Sequence, residues 1–219
     1  MLEDLRRIVW DANLALPKNK LVTATSGNVS GRDRETGFVV IKPSGVDFDK
    51  LTPEMLNIVN INGEIIEGDL LPSVDTESHL YVYKRRPDVL GIVHTHSPFA
   101  TSFAVLGETI PICLTTLAME FGSKIPISNF VEIGSEEIGK EIVEKIGNCN
   151  AILMRNHGVF TIGSTVYNAL KAAIMLEEAA QIVHYAMIRG KVKELPRVII
   201  NRAFKFYHEK YGQKRRDGK

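Results

Sequence analysis

The 219-residue chain predicts an α/β single domain with a central, mostly antiparallel β-sheet flanked by helices. Three observations carry that prediction. Short β-rich runs occur singly and as a hairpin, helical patterns lie between them, and no G-x-G-x-x-G fingerprint of a doubly wound sheet is present. With 44% hydrophobic residues the chain can build one sizeable core, and no Pro/Gly-rich linker divides it.

Residues 2–16 form the first predicted helix. Leu2, Leu5, Val9, Ala12 and Leu16 recur at steps of three and four, and Pro17 is expected to end it. Thr25-Ser26-Gly27-Asn28 reads as a turn leading into a strand. Phe38-Val39-Val40-Ile41 is a second strand, closed by the turn Lys42-Pro43-Ser44-Gly45. Thr52-Pro53-Glu54 carries a cap followed by proline, a helix-start signal. Residues 57–60 and 64–67 pair as a hairpin, and Asn62-Gly63 suits a type I′ turn. Thr76 to Arg86 is helical and stops before Pro87.

The run Val89-Leu90-Gly91-Ile92-Val93 reads as a buried strand that ends in His94-Thr95-His96. Ser97-Pro98 then opens a helix to Leu106, with Gly107 just past its end. Ser135-Glu136-Glu137 starts another helix. Ala151–Met154 and Val159–Ile162 are strands around Asn156-His157-Gly158. Ala169, Ala173, Leu176, Ala180, Val183 and Met187 make an apolar stripe on a long helix. A last helix covers residues 198–208.

Bulk properties exclude several functions. A net charge of +1 gives no global field for nucleic acid or for a membrane surface, so neither is an expected partner. No run reaches the ~18 apolar residues that a membrane span needs. The N-terminus lacks the pattern of a secretory signal, and Cys113 and Cys149 stand outside any C-x-x-C motif. Free thiols in a reducing cytoplasm are expected. The domain is expected over residues 1–213, with 214–219, including Lys214-Arg215-Arg216, as a solvated basic tail.

The chemistry concentrates on histidines. An isolated histidine is usually a satisfied polar side chain, but two at positions i and i+2 of a strand point to one face and can grip one metal ion. His157, in a turn followed by glycine, is a good third ligand. Asp75, just before a helix, is a good fourth. Three imidazoles and a carboxylate suit Zn²⁺ or a similar divalent ion such as Mn²⁺ or Co²⁺. His79 shares a helical face with Asp75 and reads as support for it. His184 and His208 read as helix-surface or interface residues. Gly27, Asn28, Ser44, Gly45 and Ser73, with Lys42 as the charge, offer hydroxyls and N–H groups for phosphate oxygens. Ordinary turns hold the same residue types, so the loops alone do not decide.

The motifs Asn28-Val29-Ser30, Lys42-Pro43-Ser44-Gly45-Val46, Pro72-Ser73-Val74-Asp75-Thr76, Gly91-Ile92-Val93-His94-Thr95-His96-Ser97 and Asn156-His157-Gly158 resemble, in order and spacing, the class II aldolase/adducin family. The resemblance covers nearly the whole chain and looks closest to the L-ribulose-5-phosphate 4-epimerases, with the L-fuculose-1-phosphate aldolases as nearest siblings. It implies a homotetramer with active sites at subunit interfaces, metal on Asp75, His94, His96 and His157, and phosphate on Gly27, Asn28, Lys42, Ser44, Gly45, Ser73 and Val74. Tyr211-Gly212-Gln213 matches a tail whose tyrosine is an acid/base in a neighbouring subunit's site.

The implied activity is cleavage and re-formation of a carbon–carbon bond in a phosphorylated ketose. The first expectation is 4-epimerisation of L-ribulose 5-phosphate to D-xylulose 5-phosphate; the alternative is an aldolase that releases dihydroxyacetone phosphate and an aldehyde. Asp75, where the aldolases have Glu, leans toward epimerase. Val74 replaces a serine of the epimerase pattern, and Met119 stands where that pattern has an acid/base Asp. These two departures lean the other way. Glu120 is the candidate substitute for the missing acid, and Thr115 is expected to line the pocket. Adducin-type heads of the family are interaction domains that have lost ligands; here all four ligand positions carry capable side chains.

Overall fold

Successive side chains of a strand point to opposite faces of its sheet, and every strand here except the exposed β4 is buried on both faces. The computed structural model describes residues 1–212. The expected tail, with Gln213 and the basic run, lies outside the described residues.

Helix α1 (Glu3–Lys18) precedes strands β1 (Asn28–Arg32), β2 (Val39–Ile41), β3 (Asn57–Val59) and β4 (Ile65–Glu67). Then come α2 (Thr76–Arg85), β5 (Gly91–Thr95), α3 (Pro98–Leu106), α4 (Thr115–Phe121) and α5 (Glu137–Lys145). Strands β6 (Ala151–Met154) and β7 (Gly158–Gly163), the long helix α6 (Val166–Arg189) and α7 (Arg197–Lys210) complete the chain. The strands form one sheet in the order β4-β3-β2-β1-β5-β7-β6, with every ladder antiparallel. The predicted fold class is the observed one.

Period-two alternation sorts the core onto the two faces. Val40, Ile58 and Val93 pack with Val9 and Leu16 of α1 and with Val166 and Ala169 at the start of α6. Their neighbours Val39, Val59 and Ile92 turn to the opposite face, against Leu80 and Tyr83 of α2, Ala100 and Phe103 of α3, and Leu176 and Ala180 further along α6. His94 has the parity of Ile92, so it belongs to this second face.

The departures from expectation are local. Pro17 lies inside α1 rather than ending it, because one missing N–H in the last turn is tolerated; the helix closes at Asn19, whose N–H reaches Ala15 O. Thr52-Pro53 opens only a single 3₁₀ turn, Pro53–Met55, since the next strand begins two residues later. The β3–β4 turn is not type I′. Only Gly63 has positive φ (91°), and its N–H reaches Asn60 O at 3.0 Å. The Asn60 side chain accepts from Asn62 N and Glu64 N, which makes a three-residue loop with Gly63 in the left-handed position. Helix α4 was not predicted, because seven residues are too few to show a helical stripe.

Candidate metal and phosphate cleft

His94 is the penultimate residue of β5 and pairs with Asn28 on one side and Phe160 on the other. Its ring stacks on that of Phe160, with centroids 4.2 Å apart and planes 18° apart. Its Nδ1 lies 3.0 Å from Val159 O. A carbonyl only accepts, so Nδ1 carries the proton and Nε2 presents a lone pair. That Nε2 faces His96 Nε2 at 3.1 Å. His157, from the turn between β6 and β7, completes the group: one ligand atom from each of the three imidazoles lies within 4.8 Å of the others.

Gly158 makes this approach possible. A Cβ there would sit on Thr95 O, 3.0 Å from His96 Cδ2 and 3.3 Å from His94 Cε1. The preceding Asn156 takes the left-handed conformation, with φ 58°, which Asn tolerates better than most residues.

The donor set fits a divalent metal. The 3.1 Å between the Nε2 atoms of His94 and His96 is close to the ~3.3 Å that separates tetrahedral ligands of an ion with N–metal bonds of about 2.0 Å, and His157 lies near enough to close on the same ion. The Nδ1 of His157 is buried without a hydrogen-bond partner. Burial, chiefly, pushes the His94 imidazolium down to about 3, and His157 and His96 lower it further against the opposing charge of Asp75. His96 and His157 are also held below the usual range, mainly by burial. Neutral imidazole is the form that binds metal.

Asp75 precedes α2 and lines the same cleft. Its Oδ2 accepts from Asn28 Nδ2 at 2.7 Å, and the compact ligand set is the three histidines without it. Burial works to raise its carboxyl, but His94, His79, Asn28 and His157 together hold it below the ordinary value. His79 is fully buried, with Nδ1 2.7 Å from Ser30 Oγ, which in turn lies 2.8 Å from Tyr83 OH. Burial pushes His79 down to about 4 against Asp75.

These shifts give a pH prediction for the metal-free protein. His94 and His79 have folded values of about 3 and about 4 against 6.5 for an unperturbed imidazole. Below about pH 6 the unfolded chain therefore binds protons that the folded chain does not. Stability should fall as pH drops below about 6 and go on falling toward the folded values of the two histidines. Urea unfolding in the presence of a chelator at pH 7 and pH 5 checks this; equal midpoints would contradict it.

The phosphate candidates lie beside the imidazoles. Ser44 N donates to Leu71 O at 2.9 Å and Ser73 N to Lys42 O at 3.0 Å, which zips the two loops together across the Pro43–Pro72 bridge. Asn28 Nδ2 also donates to Ser73 Oγ at 3.0 Å, and its Oδ1 is buried without a partner. Gly27, with φ 76°, lets the first loop pass where a Cβ would strike Val22 and His94 O. Lys42 is only 2% exposed. Its Nζ sees two carbonyls, Thr25 O and Pro43 O, at 3.4 Å and the Phe48 ring at 4.7 Å. Burial lowers its ammonium, with only Asp47 opposing.

One cleft of about 280 Å³ thus collects Gly27, Asn28, Lys42, Ser44, Gly45, Ser73, Val74, Asp75, His94, His96 and His157. Thr25, Ser26, Pro43 and the exposed Ile133 also line it. Ile133 belongs to the segment between α4 and α5, and no sequence pattern marked it.

Thr115, Glu120 and Tyr211 do not line the cleft of their own chain. Thr115 is exposed at the first turn of α4. The expectation that Glu120 replaces the acid missing at Met119 does not hold within the subunit. Glu120 is 2% exposed; its carboxylate accepts from Asn150 Nδ2 at 2.8 Å and pairs with Lys171 Nζ at 3.1 Å. Successive helical residues point about 100° apart, so the one-residue offset turns Glu120 inward. Tyr211 ends α7, 57% exposed, its ring 5.0 Å from that of Tyr207. His208 lies against Phe204 and reaches Glu120 O at 3.4 Å, while His184 packs edge-on to Phe99.

The family model for the class II aldolase and adducin N-terminal domain matches residues 7–184. The chain belongs to the class II aldolase and adducin family. A solved L-fuculose 1-phosphate aldolase superposes with TM-score 0.84 at 28% identity, covering 93% of this chain and 97% of the other. An L-fuculose-1-phosphate aldolase from Thermus thermophilus gives TM-score 0.75 at 28% identity, over 87% and 98% of the two chains. A sugar-phosphate aldolase from Thermotoga maritima shares the fold at TM-score 0.74 and 22% identity, covering 89% and 98%. Among the described residues no helix is long and apolar enough to cross a membrane.

Proposed function

We propose that this class II aldolase family member is a divalent-metal-dependent enzyme that cleaves a phosphorylated ketose into dihydroxyacetone phosphate and an aldehyde. The single observation that carries the reading is the convergence, in one cleft, of a three-imidazole group and a buried lysine that no carboxylate pairs among the described residues. The likeness to two L-fuculose 1-phosphate aldolases, each at 28% identity, supports it.

His94, His96 and His157 would hold the metal, zinc in our reading, with Asp75 beside them as a fourth donor through a carboxylate oxygen. When bound, the metal supplies Lewis acidity to the substrate's carbonyl and neighbouring hydroxyl. Lys42 provides the charge for the phosphoryl group, and Ser44, Gly45, Ser73 and Gly27 surround it. Asn28 joins the two halves of the cleft, since one amide nitrogen holds both Ser73 and Asp75. Its Oδ1 is free to accept from a substrate hydroxyl. Aldol cleavage returns a proton to the carbon that stays with the phosphate and removes the proton of the hydroxyl whose carbon leaves as the aldehyde. We assign the hydroxyl's proton transfer to Tyr211 of a neighbouring copy in a homotetramer, because within one chain Tyr211 stays outside the cleft. Cys113 and Cys149 are unpaired, in keeping with a cytoplasmic enzyme.

The second reading is 4-epimerisation of L-ribulose 5-phosphate to D-xylulose 5-phosphate, and Asp75 in place of Glu favours it. Met119 cannot move a proton, and the Glu120 carboxylate is already committed to Lys171 and Asn150. The aldolase reading therefore ranks first. Incubation with L-fuculose 1-phosphate and, separately, L-ribulose 5-phosphate decides between them. Dihydroxyacetone phosphate from the first substrate is the expected result; D-xylulose 5-phosphate from the second alone would reverse the order.

Tyr211→Phe should lower turnover by about 10²–10⁴-fold and leave metal content unchanged. Mixing it, after dissociation and reassembly, with His96→Ala should restore part of the activity, since each variant keeps what the other lacks. Two inactive variants that stay inactive together would argue against a shared site.

A further inference from the structure

Only His96 and Ser97 connect the end of β5 to the start of α3, so whatever fixes both ends of this link fixes His96. On the strand side, the β5 ladder holds Thr95 opposite Val159, and His96 N donates to Leu21 O at 3.1 Å. The helix side is held in an unusual way. Ser97 occupies the capping position before Pro98, yet its side chain makes no capping bond; its Oγ lies 3.3 Å from Thr95 Oγ1. The cap comes from 77–78 residues away. Glu177, in the middle of α6, accepts from Phe99 N with Oε1 and from Ala100 N with Oε2, each at 2.8 Å. Glu177 is 8% exposed, and no lysine or arginine is paired with it among the described residues.

A buried carboxylate in an otherwise apolar stripe is costly unless its oxygens are hydrogen-bonded. Here both are spent on orphan N–H groups at a helix start, where a negative charge is also favoured. Capping by the adjacent Ser97 hydroxyl would stabilise α3 equally well without tying it to anything else. Capping from α6 adds a fixed distance between the long helix and the His96 link. Helix α6 itself packs on β5 and β7, the strands that bear His94 and follow His157.

We infer that Glu177 is a positioning residue for the metal centre, holding the His96 link in register with His94 and His157. The inference rests on the metal-binding reading above. Groups that orient ligands from behind typically change metal affinity by about 10–100-fold.

The test is a Zn²⁺ competition titration against a chromogenic chelator at room temperature, on full-length wild type, Glu177→Ala, Glu177→Gln and Thr165→Ala. Melting temperatures of the metal-free proteins are taken in parallel. Thr165 caps α6 through Asn168 N, so its loss weakens a helix without touching the His96 link. Glu177→Ala should weaken Zn²⁺ binding by about 10–100-fold. Glu177→Gln, which keeps one acceptor for the two N–H groups, should fall between it and wild type. Thr165→Ala should lose melting temperature and keep wild-type affinity. Wild-type affinity in the Glu177 variants overturns the inference, as does an equal loss of affinity in Thr165→Ala. Should Glu177→Ala not fold, Glu177→Gln carries the comparison alone. Wild type that takes up no Zn²⁺ would instead remove the metal reading itself.

Discussion

His96→Ala is expected to lose bound metal and carbon–carbon bond cleavage together. His96 is half-buried, whereas His94 is 1% exposed and stacked on Phe160. Truncating His96 therefore removes one of three imidazoles at little cost to packing, and lost function is not confused with lost folding. Two remaining nitrogens, even with the Asp75 carboxylate beside them, make a weaker site. Without a bound Lewis acid, several kcal/mol of transition-state stabilisation disappears, so turnover should drop at least about 10³-fold. Metal content by elemental analysis, melting temperature and the cleavage assay are measured on one preparation. A His96→Ala protein that keeps stoichiometric metal and wild-type turnover would refute the centre.

The second large effect is expected from the smallest substitution, Gly158→Ala. The added methyl group would overlap Thr95 O and press on the rings of His96 and His94. Backbone carbonyls of paired strands cannot step aside one at a time, so β7 must move away from β5 at the point where the imidazoles converge. Overpacking of this kind costs about 1–3 kcal/mol. The accompanying movement of the strands spreads the ligand set. Gly158→Ala should melt several degrees below wild type and bind metal much more weakly. Wild-type melting and metal content together would show that the strands have room that the geometry does not allow.

What the sequence reveals here is what local rules encode. Period-two alternation placed His94 on a buried face, and turn chemistry put His157 beside glycine. Asp75 was legible because it sits just before a helix start. The two loops of the candidate phosphate site were recognisable as turns, and the family motifs placed them together.

What stayed hidden depends on distant contacts or on detailed orientation. Glu177 looks like any polar residue on a long helix, and nothing local marks it as the cap of α3. A lysine is normally read as exposed, yet Lys42 is buried among carbonyls and an aromatic ring. Glu120 was a plausible acid by neighbourhood in sequence. The helical turn between it and Met119 sends it to Lys171 instead. The Asn62-Gly63 pair signalled a hairpin correctly, but Asn60 claimed the turn with its own side chain and changed its type.

The most direct test of the metal centre is anomalous diffraction at the zinc edge from crystals grown with Zn²⁺. The expected result is one strong peak among the imidazoles of His94, His96 and His157, with nitrogen distances of about 2.0–2.1 Å and a face of the ion open to the cleft. A saturated crystal with no peak there, or with its zinc bound at other residues, would contradict a catalytic metal at this site.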